Sequence, residues 1–371
     1  MKKNFFKGAA LAALSLVGFT AIAQEEETVK ESTFELSGSV DTYFRTNIGG
    51  KNANNTGNGA LIAPSSAFAN ADGFALGMAN LIASKQIGKV GFVADLVFGP
   101  RGTDAVLNTT GSSNIVNQLF VTYAASDAVT LTFGNFNTFL GYEVISPAGN
   151  FNYSTSYMFS NGPFSHTGLK ADFAIDDNWS VMAAILNATD FTNNNLAGKY
   201  SGGLQVGYSN DAGSAYLNVL YGNQADFDAQ ALQNETFQID LTTGWDISEE
   251  FYLGVNATYN TTSFEGNVDD AGFYGAALYP QYAISDAFTL GLRGEYFEVF
   301  KGGLAEAFGL DNERNGSVFA TTLTGSYTAG NLTIKPELRL DSTSEDTFLE
   351  DSNGDVGKSL ASFVLGAIYS F

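Results

Sequence analysis

Alternation of apolar and polar residues recurs along most of the chain. In segment 237–247 the odd-numbered residues are apolar except for Thr243, and the even-numbered residues are polar or glycine. Successive side chains of a β-strand point to opposite faces of its sheet. The pattern therefore predicts strands with one apolar and one polar face. The same alternation appears in segments 34–48, 129–136, 251–260 and 332–341.

The connectors between these strands are alternately short and long. Tight polar turns lie near residues 88, 127, 177, 212, 249, 286 and 330. Longer segments rich in Asn, Gly, Asp and Thr lie at about 49–73, 100–113, 140–163, 190–198, 223–234, 263–271, 301–316 and 342–358. Such a chain has about sixteen strands, an even number typical of bacterial outer-membrane barrels. The predicted fold is an all-β, transmembrane, antiparallel up-and-down barrel with short periplasmic turns and long extracellular loops.

The N-terminus has the features of a cleavable signal peptide. Three lysines (Lys2, Lys3, Lys7) precede a short apolar stretch, and Ala21-Ile22-Ala23 forms an A-x-A cleavage site. A retained membrane anchor is the alternative, but the apolar stretch is too short to span a bilayer. We therefore predict a signal peptide at 1–23, a short periplasmic segment at 24–33 and the barrel at 34–371.

The C-terminal strand distinguishes a membrane barrel from a soluble β-sandwich. Its apolar face ends on Tyr369 and the terminal Phe371, which resembles the signal read by the outer-membrane assembly machinery. Trp179 and Trp245 lie close to short turns, where an aromatic girdle at the periplasmic interface is expected. Both observations favour a barrel embedded in outer-membrane lipid, with the assembly machinery as a partner.

Net charge and cysteine content exclude several classes of protein. The chain has 17 basic and 39 acidic side chains, and removal of the three signal-peptide lysines leaves a net charge of −25. Nucleic acid is therefore excluded as a partner, because phosphate contacts need Lys and Arg. The absence of cysteine excludes disulfides, thiolate metal sites and a lipidated N-terminal cysteine.

Charges on the strands fall mainly on the polar face, which we assign to the lumen. Bases on a lipid face at mid-membrane would cost about 2–4 kcal/mol. Glu298 and Asn80 break the pattern, since both fall on the predicted lipid face. Lumenal acids and bases are nearly balanced, and the acidic excess lies in loops, turns and tail. This distribution predicts a wide aqueous pore with a mild preference for cations.

His166 is the only histidine, and its position in the alternation places it in the lumen with Lys170 and Asp172. A Ser-His-Asp hydrolase is one interpretation, since Ser154, Ser156 and Ser165 lie nearby in sequence. A histidine hydrogen-bonded within the pore wall is the simpler interpretation, because no fixed spacing marks a nucleophile. No catalytic residue, metal site or cofactor is predicted.

The segment at about 140–163 is unusually apolar and aromatic for an exposed loop. We predict that it folds into the barrel and narrows the pore, with mixed charges on the facing wall setting a transverse field. A contact surface on the extracellular side is the alternative. The candidate pore-lining residues are Glu143, Asn150, Asn152, Tyr153, Tyr157, His166, Lys170, Asp172, Arg293, Glu295, Glu337 and Arg339.

A further acidic stretch, Asp351 to Asp355, has oxygen ligands at alternate positions, as calcium loops do. It lacks the downstream glutamate of an EF-hand. An ordinary acidic loop is the preferred interpretation, and calcium binding stays open.

The central region contains a set of distinctive motifs, namely Gly134-Asn135-Phe136, Gly141-Tyr142-Glu143, Ser146-Pro147, Asn152-Tyr153-Ser154 and Gly162-Pro163-Phe164-Ser165-His166-Thr167-Gly168. These motifs resemble a known family, the OmpL-like β-barrel porins of the outer membrane. The resemblance implies a porin without catalytic residues, and it extends more weakly over 34–371. The Ala-Gln cleavage junction and terminal Phe resemble exports of Bacteroidota.

Three functions are compatible with these observations. The first is a porin, not an enzyme, that passes small hydrophilic solutes and ions by passive diffusion. The second is a barrel hydrolase using His166, and the third is a structural or adhesive barrel that presents its loops. Homotrimers are common among sixteen-strand porins, so a homotrimer stays open, as do solute specificity and gating.

Overall fold

The computed structural model describes residues 33–107, 111–195, 198–224, 234–264, 269–302 and 308–371. The predicted signal peptide and residues 24–32 of the predicted periplasmic segment lie outside the described residues. Within the described ranges, no helix has the length and apolar character needed to cross a membrane.

Sixteen strands of 8 to 15 residues form one closed barrel, as the alternation predicts. They alternate in direction, and each pairs antiparallel with its neighbours. Their bounds are β1 Glu35–Gly49, β2 Gly73–Ile87, β3 Val90–Phe98, β4 Val116–Ser126, β5 Val129–Asn137, β6 Ser165–Ala174, β7 Trp179–Leu186, β8 Ser201–Asn210, β9 Gly213–Gly222, β10 Asn234–Asp246, β11 Phe251–Phe264, β12 Ala271–Ser285, β13 Phe288–Phe300, β14 Gly316–Ala329, β15 Leu332–Thr343 and β18 Ser359–Ser370.

The barrel closes where β18 pairs with β1. Tyr43 lies opposite Gly366 in this register, and the pairing runs to the chain end. Phe371 and Gly38 exchange two backbone hydrogen bonds of 3.0 Å. Closure leaves the barrel without an unpaired sheet edge. A β-structure in a bilayer needs this, because lipid cannot form hydrogen bonds with an exposed backbone. The predicted all-β fold class is confirmed.

The loops contain the remaining secondary structure. Two short helices, α1 (Pro100–Ala105) and α2 (Tyr157–Asn161), lie in the β3–β4 and β5–β6 connections, and a 3-10 helix covers Gly111–Ile115. A small two-stranded sheet, β16 (Phe348–Leu349) with β17 (Val356–Gly357), lies in the loop before β18. The alternation did not predict these elements.

Large apolar side chains cover the outer face, and polar side chains are buried within the barrel. At the short-turn end, Tyr208 lies 5.0 Å from Trp179 and 6.3 Å from Trp245 between ring centroids. These three rings form part of an aromatic girdle of the kind expected at a membrane interface. Glu298 does face outward, near the loop end of β13, and accepts a hydrogen bond from the Tyr296 hydroxyl.

Asn80 corrects the sequence-based assignment of β2, because its side chain faces the lumen. Two residues of β2, Gly77 and Met78, oppose the single residue Asp41 of β1. This β-bulge shifts the alternation by one, so that residues after it exchange faces. Asp41 occupies the space above Gly77 and accepts the Met78 amide at 3.0 Å.

The C-terminal pairing generates the first prediction. Replacing both Tyr369 and Phe371 with serine should abolish assembly, because the substitutions remove two outward-facing aromatic side chains at the C-terminal end of β18, the strand that closes the barrel. Outer-membrane fractions should then lack the heat-modifiable band that a folded barrel gives in gel electrophoresis. Ser370→Ala, on the opposite face of β18, is the control and should assemble normally. A normal band in the double variant would contradict this role.

Candidate functional site: the lumen and its inner loop

The β5–β6 connection, residues 138–164, lies inside the barrel and is called the inner loop below. Its Gly141 amide donates to Asp240 on β10 at 2.9 Å. The Tyr142 and Tyr252 hydroxyls lie 3.0 Å apart, and Asn152 donates to Thr324 on β14 at 2.7 Å. The loop therefore packs against the wall formed by the C-terminal half of the barrel.

Acidic side chains of the wall accept the backbone amides of the inner loop. Glu337 on β15 accepts the amides of Tyr153 and Ser154, the latter at 3.0 Å. Glu295 on β13 accepts the first two amides of α2 at 3.0 and 2.8 Å. The Ser156 hydroxyl accepts the third, at 3.0 Å. A helix N-terminus leaves its first amides unpaired and favours nearby negative charge, so these contacts satisfy α2 completely at its start.

Basic side chains of the same wall donate to the backbone carbonyls of the inner loop. Arg293 on β13 donates to the carbonyls of Ser154 (2.7 Å) and Thr155 (3.2 Å). Arg339 on β15 donates to the Thr155 carbonyl at 2.8 Å. Lys335 donates to the carbonyls of Pro147 (2.8 Å) and Asn150. We call Arg293, Glu295, Lys335, Glu337 and Arg339 the clamp residues.

Two buried ion pairs complete the clamp. Arg293 lies 2.6 Å from Glu143 of the inner loop, and Arg339 lies 2.8 Å from Asp341 on its own strand. All four side chains are almost fully buried. Burying a charge costs much free energy unless the charge is paired or hydrogen-bonded, and here each charge has both kinds of partner. The other Glu143 oxygen accepts the Ser156 amide at 2.7 Å.

Two further segments fill the loop-side half of the lumen. The segment between β1 and β2 inserts Phe68, whose ring lies 6.0 Å from those of Phe159 and Phe164. Arg101 of α1 donates to the Tyr153 carbonyl at 2.8 Å and lies over the Phe68 and Tyr153 rings. Sequence reasoning did not identify Phe68 or Arg101, since both lie in loops without a periodic pattern.

A cavity of about 750 Å³ lies beside the inner loop. Its walls are the inner faces of β1–β8, mainly at their short-turn ends, and the first half of the inner loop. Polar residues such as Asn80, Asp95 and Thr132 line one side. Ile145, Phe159 and Phe164 bound it where it meets the filled half.

Most predicted pore-lining residues are buried. Lys170 and Asp172 form a half-exposed ion pair of 2.9 Å and line the cavity, and Glu143 lines it from the loop side. Arg293, Arg339 and Glu337 do not face the loop across an open gap, because they bind its backbone directly. The remaining candidates are buried within the loop or its contacts, namely Asn150, Asn152, Tyr153, Tyr157, His166 and Glu295.

Comparison with known proteins assigns the family. Residues 33–371 match the family described as "Putative beta-barrel porin-2, OmpL-like". The chain belongs to this porin family. The resemblance seen in the central motifs is thereby confirmed, and the barrel is an outer-membrane protein. No curated protein matches the chain in sequence.

Solved porin structures share the fold at low sequence identity. OmpT of Vibrio cholerae, expressed in the outer membrane, is 12% identical with a TM-score of 0.58, covering 94% of this chain and 100% of its own. The outer-membrane channel DcaP of Acinetobacter baumannii is 17% identical with a TM-score of 0.56, covering 94% and 100%. Salmonella typhi OmpF, solved in complex with daunomycin, is 12% identical with a TM-score of 0.57, covering 92% and 98%.

His166 in this porin is buried at the start of β6. Its Nε2 atom lies 3.0 Å from the Thr138 hydroxyl, and its ring lies 4.9 Å from that of Phe139. Nearby, Asp190 accepts the amides of Phe164 and Ser165 at 2.8 Å, and burial raises the pKa of this carboxyl to about 7. These contacts fix the end of the inner loop.

The acidic stretch at 351–355 forms a compact turn. Asp351 accepts the amides of Asn353 (2.8 Å) and Asp355 (3.1 Å), and these bonds lower its pKa. Among the residues with described positions, no group of three or more His, Asp or Glu side chains is arranged to hold a metal ion.

The buried clamp generates the second prediction. Glu143→Gln should lower the free energy of unfolding by about 3–5 kcal/mol, because it leaves the Arg293 charge buried without its counter-charge. Urea unfolding in detergent, followed by tryptophan fluorescence, measures the loss. The control is Glu313→Gln, which breaks the exposed pair of 3.5 Å with Lys301 and should cost at most about 1 kcal/mol. Equal losses in the two variants would contradict the clamp.

Proposed function

We propose that the barrel is a porin through which small hydrophilic solutes and ions diffuse passively. The observation that carries this proposal is the cavity beside the inner loop, with polar strand residues on one side. In this proposal, solutes pass between the inner loop and the wall formed by β1–β8. We place the narrowest point of this passage where the cavity meets Phe159 and Phe164, because the lumen beyond these rings is filled by loop segments.

A mild preference for cations is part of the proposal. Among the described residues that line the cavity, Lys170 is the only base, and Asp172 already pairs with it. Of the other acids of the lining, Glu143 pairs with Arg293, and Asp95 and Asp127 have no ion pair among the described residues. The bases of the facing wall lie among the acids Glu143, Glu295, Glu337 and Asp341, so this wall adds little net positive charge. A negative lining concentrates cations and repels anions.

Assembly and oligomeric state belong to the same proposal. The chain would be delivered to the outer membrane through its C-terminal strand, whose last residue completes the barrel seam with Gly38. A homotrimer, common among sixteen-strand porins, is the proposed assembly.

The third prediction tests the function itself. The purified barrel in a planar bilayer should give stepwise conductance, and its reversal potential in a salt gradient should show cation preference. The preference should fade towards 1 M salt, where the Debye length falls to about 3 Å. Lys170→Gln should strengthen it by removing the base of the lining. A folded barrel without conductance would favour the adhesive interpretation, and anion selectivity at low salt would exclude the proposed preference.

The fourth prediction concerns the inner loop. Deletion of residues 149–156 should raise the single-channel conductance and admit larger sugars in liposome swelling, because the segment fills lumen volume next to the passage. Deletion of 351–355, in an exposed turn, is the control and should leave the conductance unchanged. Heat-modifiable mobility shows that each variant is folded. Unchanged conductance in a folded inner-loop deletion would place the passage elsewhere.

A further inference from the structure

One wall of the cavity is built around Asp95 on β3. This carboxylate is buried and accepts side-chain amide groups from Asn80, Asn117 (2.7 Å) and Gln118 (3.0 Å). No ion pair involving Asp95 occurs among the residues whose positions are described. The charge of Asp95 is therefore solvated by amides and left without a counter-charge.

The amides around Asp95 are oriented by its charge. An ionised carboxylate only accepts hydrogen bonds, so each amide must turn its NH2 group towards Asp95 and its carbonyl oxygen away. The Gln118 oxygen accepts the Asn137 amide at 3.0 Å. The side-chain oxygen of Asn137 is itself buried, with no donor among the described residues. This wall of the cavity thus carries negative charge and an unpaired acceptor, while the amide groups beside the carboxylate turn their NH2 groups towards Asp95.

The cavity already accommodates one ammonium group, which belongs to the protein. The Lys170 ammonium lies 2.9 Å from Asp172 and 5.6 Å from the centre of the Phe136 ring. A carboxylate and an aromatic face together favour a cation. Further rings, those of Phe120, Phe159 and Phe164, border the same cavity.

We propose that this cavity is a binding site for small organic cations, a primary ammonium carrying an apolar or aromatic group. The ammonium lies against the wall of Asp95 and Asn137, where the negative charge attracts it, and the apolar group packs against Phe120 and its neighbouring rings. Anions are repelled by this wall, and neutral polyols gain nothing from its charge. A volume of about 750 Å³ is within the range of small-molecule sites. This site would define a class of solute for the proposed channel, and the inference rests on that proposed function.

Benzylammonium is the probe in a planar-bilayer experiment on the full barrel. It should block the current in a concentration-dependent manner, and more strongly when it is added from the side of the short turns. Benzyl alcohol, its neutral counterpart, should block at least tenfold more weakly. Equal block by the two compounds would show an apolar site without charge recognition and would overturn the proposal.

Two variants locate the site. Asp95→Asn should raise the half-blocking concentration at least tenfold, because it removes the charge at constant size. The control is Asp286→Asn, which removes the same charge at the same size from an exposed short turn outside the cavity lining. Phe120→Leu should weaken block by benzylammonium more than block by methylammonium. Block that is unchanged in the folded Asp95 variant would overturn the proposal.

Calorimetric titration of the detergent-solubilised barrel with benzylammonium separates this inference from the channel function. Binding that is lost in Asp95→Asn supports the site even if the barrel does not conduct. Conductance without binding or block would leave the porin function standing and overturn the site.

Discussion

The structure depends on how an irregular segment satisfies its backbone inside a closed barrel. The inner loop has no strand to pair with, yet its amides and carbonyls are removed from bulk water, where each unpaired group would cost free energy. Charged side chains of β13 and β15 form the hydrogen bonds that a neighbouring strand would otherwise provide. Glu295 and Glu337 accept amides, and Arg293, Lys335 and Arg339 donate to carbonyls. The clamp therefore recognises backbone, which explains how so many buried charges are accommodated.

The clamp also organises charge within the lumen. On β13 and β15 the bases Arg293 and Arg339 alternate with the acids Glu295, Glu337 and Asp341, and this wall binds the inner loop. On the wall of β2–β6, Lys170 pairs with Asp172, and Asp95 has no ion pair among the described residues. In the proposed channel, a solute beside the inner loop would therefore meet an acceptor-rich wall that contains Asp95.

The fold could be predicted from local information, and the site only in part. Strand alternation has a period of two residues and is visible in any short segment, so the strand number and the faces followed directly. The bulge at Gly77 and Met78 was not visible, because it depends on pairing with β1, and Asn80 was misassigned as a result. The burial of Arg293 and Glu337 depends on the path of a loop more than 130 residues away in sequence. No periodic pattern records such a path.

The two walls of the lumen differ in the sequence changes that they could accept. The clamp binds mainly backbone groups of the inner loop, with Glu143 as the loop side chain that pairs with Arg293, whereas the cavity wall around Asp95 depends on side chains alone. In the proposed channel, substitutions on β2–β4 would therefore alter which solutes are favoured without releasing the loop. Substitutions on β13 or β15 carry a larger penalty, because removing one partner leaves a buried charge and a peptide group unpaired. Under this proposal, stability depends mainly on one wall of the porin and selectivity on the other.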